Sequence, residues 1–456
     1  MDNSWSMLIN ILLLAIFMGI ASFFKAKFKF LRKFLVPTPI IAGFIGLILG
    51  KEVLGLAPID KNFLGLLVYH LMAIGFIALA LQDRKQKKSR SFVNAGAYIV
   101  STYLIQGIVG FVISLLLVNT IYPDLFPMFG LLLPLSFGQG PGQAFSIGSQ
   151  WESLGFINGG NIGLTFATFG FFWASFAGLP FMNYLVKKSK LKYVKRQKHD
   201  TYKIINQKME YRESTSNESL DSITIQLFLI ALVYFFTFLT LKICSFSLSP
   251  LGNVGSTLSQ LLWGFHFVIG SIYGIIIRLI INNARNNNKR VYFDTNKFLL
   301  QRITGGVFDF MITASIAAIS IYTFKRFAVP ILLITSVGGL LTMVYTYFMV
   351  KKIFSTDQLE NVLGFYGMQT GTISTGMALL KEVDPNLSTS ATDNLVLGSA
   401  VGIFFGFPLM VILSIPVIGY TTNRPILYIY SLIAFFIYLF FLYGVIYYNK
   451  KKEYKN

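Results

Sequence analysis

The sequence predicts an all-α integral membrane protein built from two inverted-topology repeats, each with a re-entrant hairpin, and about 11 transmembrane helices. Long apolar stretches, basic runs between them, and two glycine-rich interruptions at matching register carry that prediction. Of 456 residues, 54% are apolar and only 13% are charged, and the mean hydropathy is +0.63. A soluble domain usually carries about 25% charged residues. The shortfall excludes an ordinary water-soluble enzyme, a disordered scaffold and a secreted disulfide module. The single cysteine, Cys244, leaves no internal disulfide and no multi-cysteine metal site.

A bilayer core of about 30 Å needs about 20 apolar residues of helix. Stretches of that kind lie at 5–24, 36–50, 62–82, 92–118, 161–186, 222–243, 256–280, 303–323, 327–350, 391–415 and 425–448. The stretch at 36–50 is short and opens VPTPIIAG, where Pro37 and Pro39 predict a bent start. Two more, 126–150 and 359–381, are too rich in glycine and polar residues to be plain spans and are expected to be hairpins. The first residues lack the positive run of a cleaved signal, so the first span is expected to remain.

With the N-terminus outside and each hairpin entering and leaving by one face, 33 lysines and arginines face the cytoplasm and 6 face outward. The C-terminus is then cytoplasmic. The net charge of +20 reads as topology and attraction to anionic lipid, not as nucleic-acid binding.

The polar segment 187–221 is expected to be a basic cytoplasmic loop. It separates a first repeat, 1–186, from a second, 222–415, and residues 416–456 add a C-terminal helix and a basic tail. Gln106, Gly110 and Gly142 are matched by Thr335, Gly339 and Gly371 with identical separations of 4 and 32 residues. GLPFM at 178–182 is likewise matched by GFPLM at 406–410. Oppositely oriented halves, each with a discontinuous segment, form the architecture of a secondary transporter.

The first hairpin supplies Ser136, Gly138, Gln139, Gly140, Pro141, Gly142 and Gln143 as candidate substrate-binding residues. Clustered glycine and proline cannot hold a regular helix there. Non-helical backbone at membrane depth survives only where protein or a wet cavity satisfies its polar groups. A break leaves a half-helix N-terminus that attracts a carboxylate, and carbonyls that can coordinate a small cation. The second hairpin supplies Gln369, Thr370, Gly371, Thr372, Ser374 and Thr375. Entering from opposite faces, the tips would meet near the midplane, and neither carries lysine or arginine.

Candidate cation-binding residues are Gln106, Asp309 and Thr335. An ionisable group inside a span is a functional candidate because an unpaired charge is costly there. The alternative for Asp309 is a structural pairing with Arg302, and for Gln106 an interhelical hydrogen bond. His70, His199 and His266 show no ligand spacing and are expected to be structural or solvated. An ion channel is a rival reading, since filters also use Gly and Thr. An enzyme is not expected, because no catalytic constellation lies within the spans.

FLRKFLVPTPIIAGF at 30–44, YLIQGIVG at 103–110, LPLSFGQGPGQAFS at 133–146, ATFG at 167–170 and GLPFMNYLVKK at 178–188 together resemble the glutamate:sodium symporter family, over most of residues 5–415. The resemblance implies sodium-coupled uptake of glutamate across the cell membrane, ten spans with two re-entrant hairpins, and a homodimer. Sodium would be co-transported, with no other cofactor. The chain departs from the family's Gly-Gly-His-Gly-Thr in the first hairpin, with Gln139 at the His position and Pro141 at the Thr position. The expected substrate is glutamate or a related acidic amino acid, with another small carboxylate, carried by sodium or proton coupling, as the alternative.

Overall fold

The computed structural model describes residues 3–28, 36–82, 90–188, 221–287, 293–384 and 389–453. The expected cytoplasmic loop at 187–221, apart from its ends, and His199 lie outside the described residues. Among the described residues every regular element is helical. The first half runs α1 (Asn3–Lys27), α2 (Thr38–Leu49), α3 (Lys61–Leu81), α4 (Arg90–Thr120), α5 (Phe129–Gly138), α6 (Pro141–Glu152) and α7 (Gly159–Lys187). The second runs α8 (Ser222–Leu248), α9 (Gly252–Gly264), α10 (His266–Asn286), α11 (Lys297–Ala317) and α12 (Ile321–Arg326). It continues with α13 (Ala328–Ile353), α14 (Gln358–Thr370), α15 (Ile373–Val383), α16 (Ser390–Thr421) and α17 (Ile426–Glu453).

Helix starts follow local chemistry. Asp60 caps α3 by accepting from the amides of Asn62 and Phe63 at 2.9 and 3.3 Å, and Asn296 caps α11 by accepting from Leu299 at 3.1 Å. Glu152, exposed at the end of α6, accepts from the Gly160 amide at 2.9 Å and so serves the start of α7.

Nine helices among the described residues are long and apolar enough to cross a bilayer. Two of the expected spans fall outside that set. At 12 residues α2 reaches only about 18 Å, and α11 carries Lys297, Arg302 and Asp309 within its 21 residues. The stretch expected as one span at 256–280 is two helices, α9 and α10, parted at Phe265. The reason is tertiary. The Tyr69 hydroxyl donates to the Trp263 carbonyl at 2.8 Å, and the Ser146 hydroxyl donates to the Gly264 carbonyl at 2.9 Å. Side chains from α3 and α6 thus replace the helical amides, and His266 stacks on Tyr69 with ring centroids 3.7 Å apart.

The helices sort into two groups. In one, α3 lies between α10 and α11, and Phe17, Ile40, Leu64, Met72, Phe267 and Ile316 share a core. Leu229, Ile230 and Val233 attach α8 to it through Ile77 and Leu81. In the other, α4 packs against α13, α16 and α17, and Tyr98, Phe137, Phe166, Val362, Leu413 and Phe435 share a core with the interrupted helices. Hydrocarbon solvates apolar side chains as well as protein does, so close backbone approach carries much of this packing. Gly110 and Gly130 meet so closely that a methyl group on either would overlap the other's carbonyl.

Prolines distort both long helices that follow the interruptions. In α7 a π turn at Trp173–Ala177 precedes Pro180, and the Tyr366 hydroxyl donates to the Trp173 carbonyl at 2.9 Å. In α16 Pro408 sits mid-helix, and Tyr438 of α17 donates to the Phe405 carbonyl at 2.6 Å. An unserved carbonyl at that depth would cost several kcal/mol.

One contact ties loops within the first group. Glu52 pairs with Lys61 at 2.6 Å and accepts from the Ile321 amide at 2.7 Å, while Lys61 donates to the Ile319 carbonyl at 2.7 Å. Partial burial raises the Glu52 carboxyl, but bonds from Lys61, Ile321 and Ser320 and the Lys61 charge outweigh it and hold it below the usual glutamate value.

Candidate functional site

The first interruption falls between α5 and α6. A π turn covers Pro134–Gly138, and Gly140 then takes φ +97°, a conformation nearly reserved for glycine. Pro141 occupies the first position of α6, where its missing N–H is harmless. Gly138 is pressed against the Tyr103 ring, and a Cβ on Gly142 would lie 2.8 Å from Met72 of α3. No larger residue fits at either place without movement.

The second interruption falls between α14 and α15. Gly371 takes φ −148° and ψ −102°, outside both the helical and the extended regions. Thr375 closes the break through its hydroxyl, which accepts from the Thr372 amide at 2.8 Å and lies 2.6 Å from the Gly367 carbonyl and 2.8 Å from the Thr372 carbonyl. Thr370 donates to the Tyr366 carbonyl at 2.8 Å.

The two breaks meet. A Cβ on Gly140 would touch the Thr372 methyl at 3.9 Å. Gln106 of α4 lies behind both, donating to Thr342 at 2.8 Å and to the freed carbonyl of Gln369 at 3.0 Å. Its Oε1 faces Gly138. Gln369 in turn donates to the Ile99 carbonyl at 3.3 Å.

Between the two helix groups, and against both breaks, lies a cavity of about 150 Å³. The first break lines it with Gly138, Gln139, Gly140, Pro141 and Gln143, and the second with Gly371, Thr372 and Ser374. Ser136, Gly142, Gln369, Thr370 and Thr375 sit beneath this surface. Ser136 donates to the Leu133 carbonyl at 3.1 Å.

Two expected cation residues lie elsewhere. Thr335 is buried on α13 and donates to the Ile331 carbonyl of its own helix at 2.7 Å. Asp309 is exposed on α11, although its neighbours Phe308, Met311 and Ile312 line the cavity.

The breaks leave polar capacity unspent. Both amide atoms of Gln139, and the Oε1 atoms of Gln106, Gln143 and Gln369, are buried without a hydrogen-bond partner among the described residues. Buried polar groups are nearly always paired, and here four side-chain amides at or just behind one cavity each keep at least one unpaired atom, although Gln106 and Gln369 use their N–H groups.

The rest of the wall is absent from the sequence reading. It comes from Phe76 of α3, Phe267 and Val268 of α10, Phe308 of α11, and Ile403 and Phe407 of α16. One signal existed for α16: Gly398, Gly402 and Gly406 recur every four residues. Gly398 abuts Ala95 of α4, and Gly402 opens onto the cavity. For the other helices an apolar residue looks the same whether it faces lipid, core or cavity.

The family model described as sodium/glutamate symporter matches residues 2–387. No curated protein and no solved structure matches the chain.

Proposed function

The chain belongs to the sodium/glutamate symporter family, a family of transporters, and from that premise we propose that it performs sodium-coupled symport of a small amino acid or carboxylate by alternating access. The reading rests on one observation: two interrupted helices end at a common cavity between two separately packed helix groups. Each interruption is one re-entrant hairpin of two inverted repeats. The first three spans of each half supply one group, and the fourth span, the hairpin and the following span supply the other. That partition supports the inverted arrangement.

Substrate and sodium bind together at the tips. The α6 N-terminus leaves backbone amides without intrahelical acceptors, which suits a carboxylate. The carbonyls freed at the breaks and the unpaired amide oxygens of Gln106, Gln143 and Gln369 suit a small cation held by neutral oxygen. In a site of low dielectric each charge offsets the other, so each alone is poorly held. The group carrying the hairpins then moves against the other and exposes the cavity to alternate sides. The membrane is the cell membrane, with the N-terminus outside and the C-terminus cytoplasmic, and the protein works as a homodimer.

By family, glutamate or a related acidic amino acid is the first candidate substrate. Another small carboxylate is the second reading, supported because no lysine, arginine or histidine among the described residues lines the cavity. The test is radiolabelled uptake into proteoliposomes under a sodium gradient. Uptake should collapse when choline replaces sodium. Equal uptake in both would overturn sodium coupling and favour a proton-driven carrier.

A further inference from the structure

We propose that the cavity takes a substrate with a single carboxylate on an uncharged, apolar body, in preference to a dicarboxylate. The inference deepens the symport reading and rests on it.

The cavity is divided by chemistry. Its polar side comes from the tips, where Gln139, Gln143, Thr372 and Ser374 surround the start of α6. Gln143 is 5% exposed and its Oε1 has no partner, while both amide atoms of Gln139 are free. That side can hold one carboxylate, through the first amides of α6 and an amide donor from Gln139. The remaining wall, from α3, α10, α11 and α16, is built of Phe76, Phe267, Phe308, Met311, Ile312 and Phe407. Of the other hydroxyl residues lining it, Ser271 already donates to the Phe267 carbonyl at 2.8 Å, Ser399 donates to the Leu395 carbonyl, and Tyr103 lies against Gly138 of the first break. Among the described residues no Asp, Glu, Lys, Arg or His lines the cavity.

A second carboxylate would therefore leave water for a largely apolar wall with no cationic side chain to pair it, and an isolated ionised carboxylate is the costliest group to bury in that way. An apolar body meets favourable contacts over the same wall. The whole cavity is about 150 Å³, the volume of an apolar protein cavity that accepts benzene, so the entire ligand is small.

The experiment uses the full chain in proteoliposomes, with sodium or choline outside. Radiolabelled leucine, phenylalanine, 4-methylpentanoate and glutamate are each tested for uptake and for competition. Thermal stabilisation of the detergent-solubilised protein by the same compounds is measured in parallel. Sodium-driven uptake of the apolar compounds, with glutamate competing about tenfold or more weakly, is the expected result. Leucine active with 4-methylpentanoate inert would assign an amino acid, and both active a plain monocarboxylate; either supports the inference.

Sodium-driven glutamate uptake that excess leucine and 4-methylpentanoate leave unchanged would overturn it. So would a lack of both uptake and stabilisation by every apolar compound. Stabilisation or uptake by the apolar compounds that is equal in choline would uphold the substrate class while removing sodium coupling, so the two readings fail separately.

Discussion

The two helix breaks stop a helix at similar places by different chemistry. The first uses backbone restriction: Gly140 at φ +97° and Pro141 at the first turn of α6, with the side-chain amide of Gln139 left unpaired. The second adds a side-chain latch: Gly371 leaves the helix at φ −148° and ψ −102°, and Thr375 bonds across the break to Thr372 and Gly367. The difference teaches where binding capacity lies. The second break, its backbone served by Thr375, leaves Gln369 Oε1 and Thr372 Oγ1 for a ligand, whereas the one held open by glycine and proline keeps both side-chain amide atoms of Gln139, a donor among them, and Gln143 Oε1. On this comparison the first break grips the substrate and the second braces it.

Substitutions can break or sharpen that division. The largest effect is expected from Gly142→Leu, because even a Cβ there lies 2.8 Å from Met72 and a leucine would wedge α6 away from α3. Uptake should fall about 100-fold or more, since a displacement of about 1 Å at a site can cost that much. Gel filtration should still show a folded, inserted protein, and normal uptake would dissolve the idea of a site at this tip.

Gln139→Leu should come next. It removes unpaired polar atoms, so substrate affinity should weaken about tenfold, with the melting temperature unchanged or slightly raised. Thr375→Val should show the opposite balance. Loss of the latch leaves the Gly367 carbonyl and the Thr372 amide unserved and should lower stability by about 1–3 kcal/mol, while affinity changes less than in Gln139→Leu. Thr375→Ser should restore stability. If Thr375→Val weakened affinity more than Gln139→Leu did, the assignment of grip and brace would have to be exchanged.

The smallest effect is a control away from both breaks. The Glu52 carboxyl is held below its ordinary value, so its contribution to stability is fully present above the unfolded glutamate pKa of about 4.3 and is lost as pH falls through the lower folded value. The pair is a third exposed on the Glu52 side, so Glu52→Gln should cost less than about 1 kcal/mol at neutral pH. The difference from the parent should vanish in melting curves taken at acid pH, with uptake unaffected at neutral pH.

The breaks at 138–142 and 371 were legible because glycine and proline act locally: each restricts or frees the backbone wherever the chain goes. The helix runs were legible for the same reason, through apolar composition and length. The break at Phe265 was not, because Tyr69 and Ser146, far away in sequence, take the carbonyls of Trp263 and Gly264. Thr335 matched Gln106 in spacing, yet only Gln106 reaches the breaks; Thr335 turns back on its own helix. Equal spacing sets register along a helix, but not which partner stands opposite.

By itself the sequence determined a membrane protein, its helical segments, two places where those helices cannot continue, and the family resemblance. Each depends on composition, local backbone preference or short motifs. Only the tertiary structure decided which apolar faces enclose the cavity, which amides stay unpaired beside it, and that Asp309 stands outside its wall. In hydrocarbon an apolar surface is no better satisfied by protein than by lipid. Sequence therefore carries no mark of which apolar face turns inward, and backbone fit between glycines and side chains distant in the chain makes that choice.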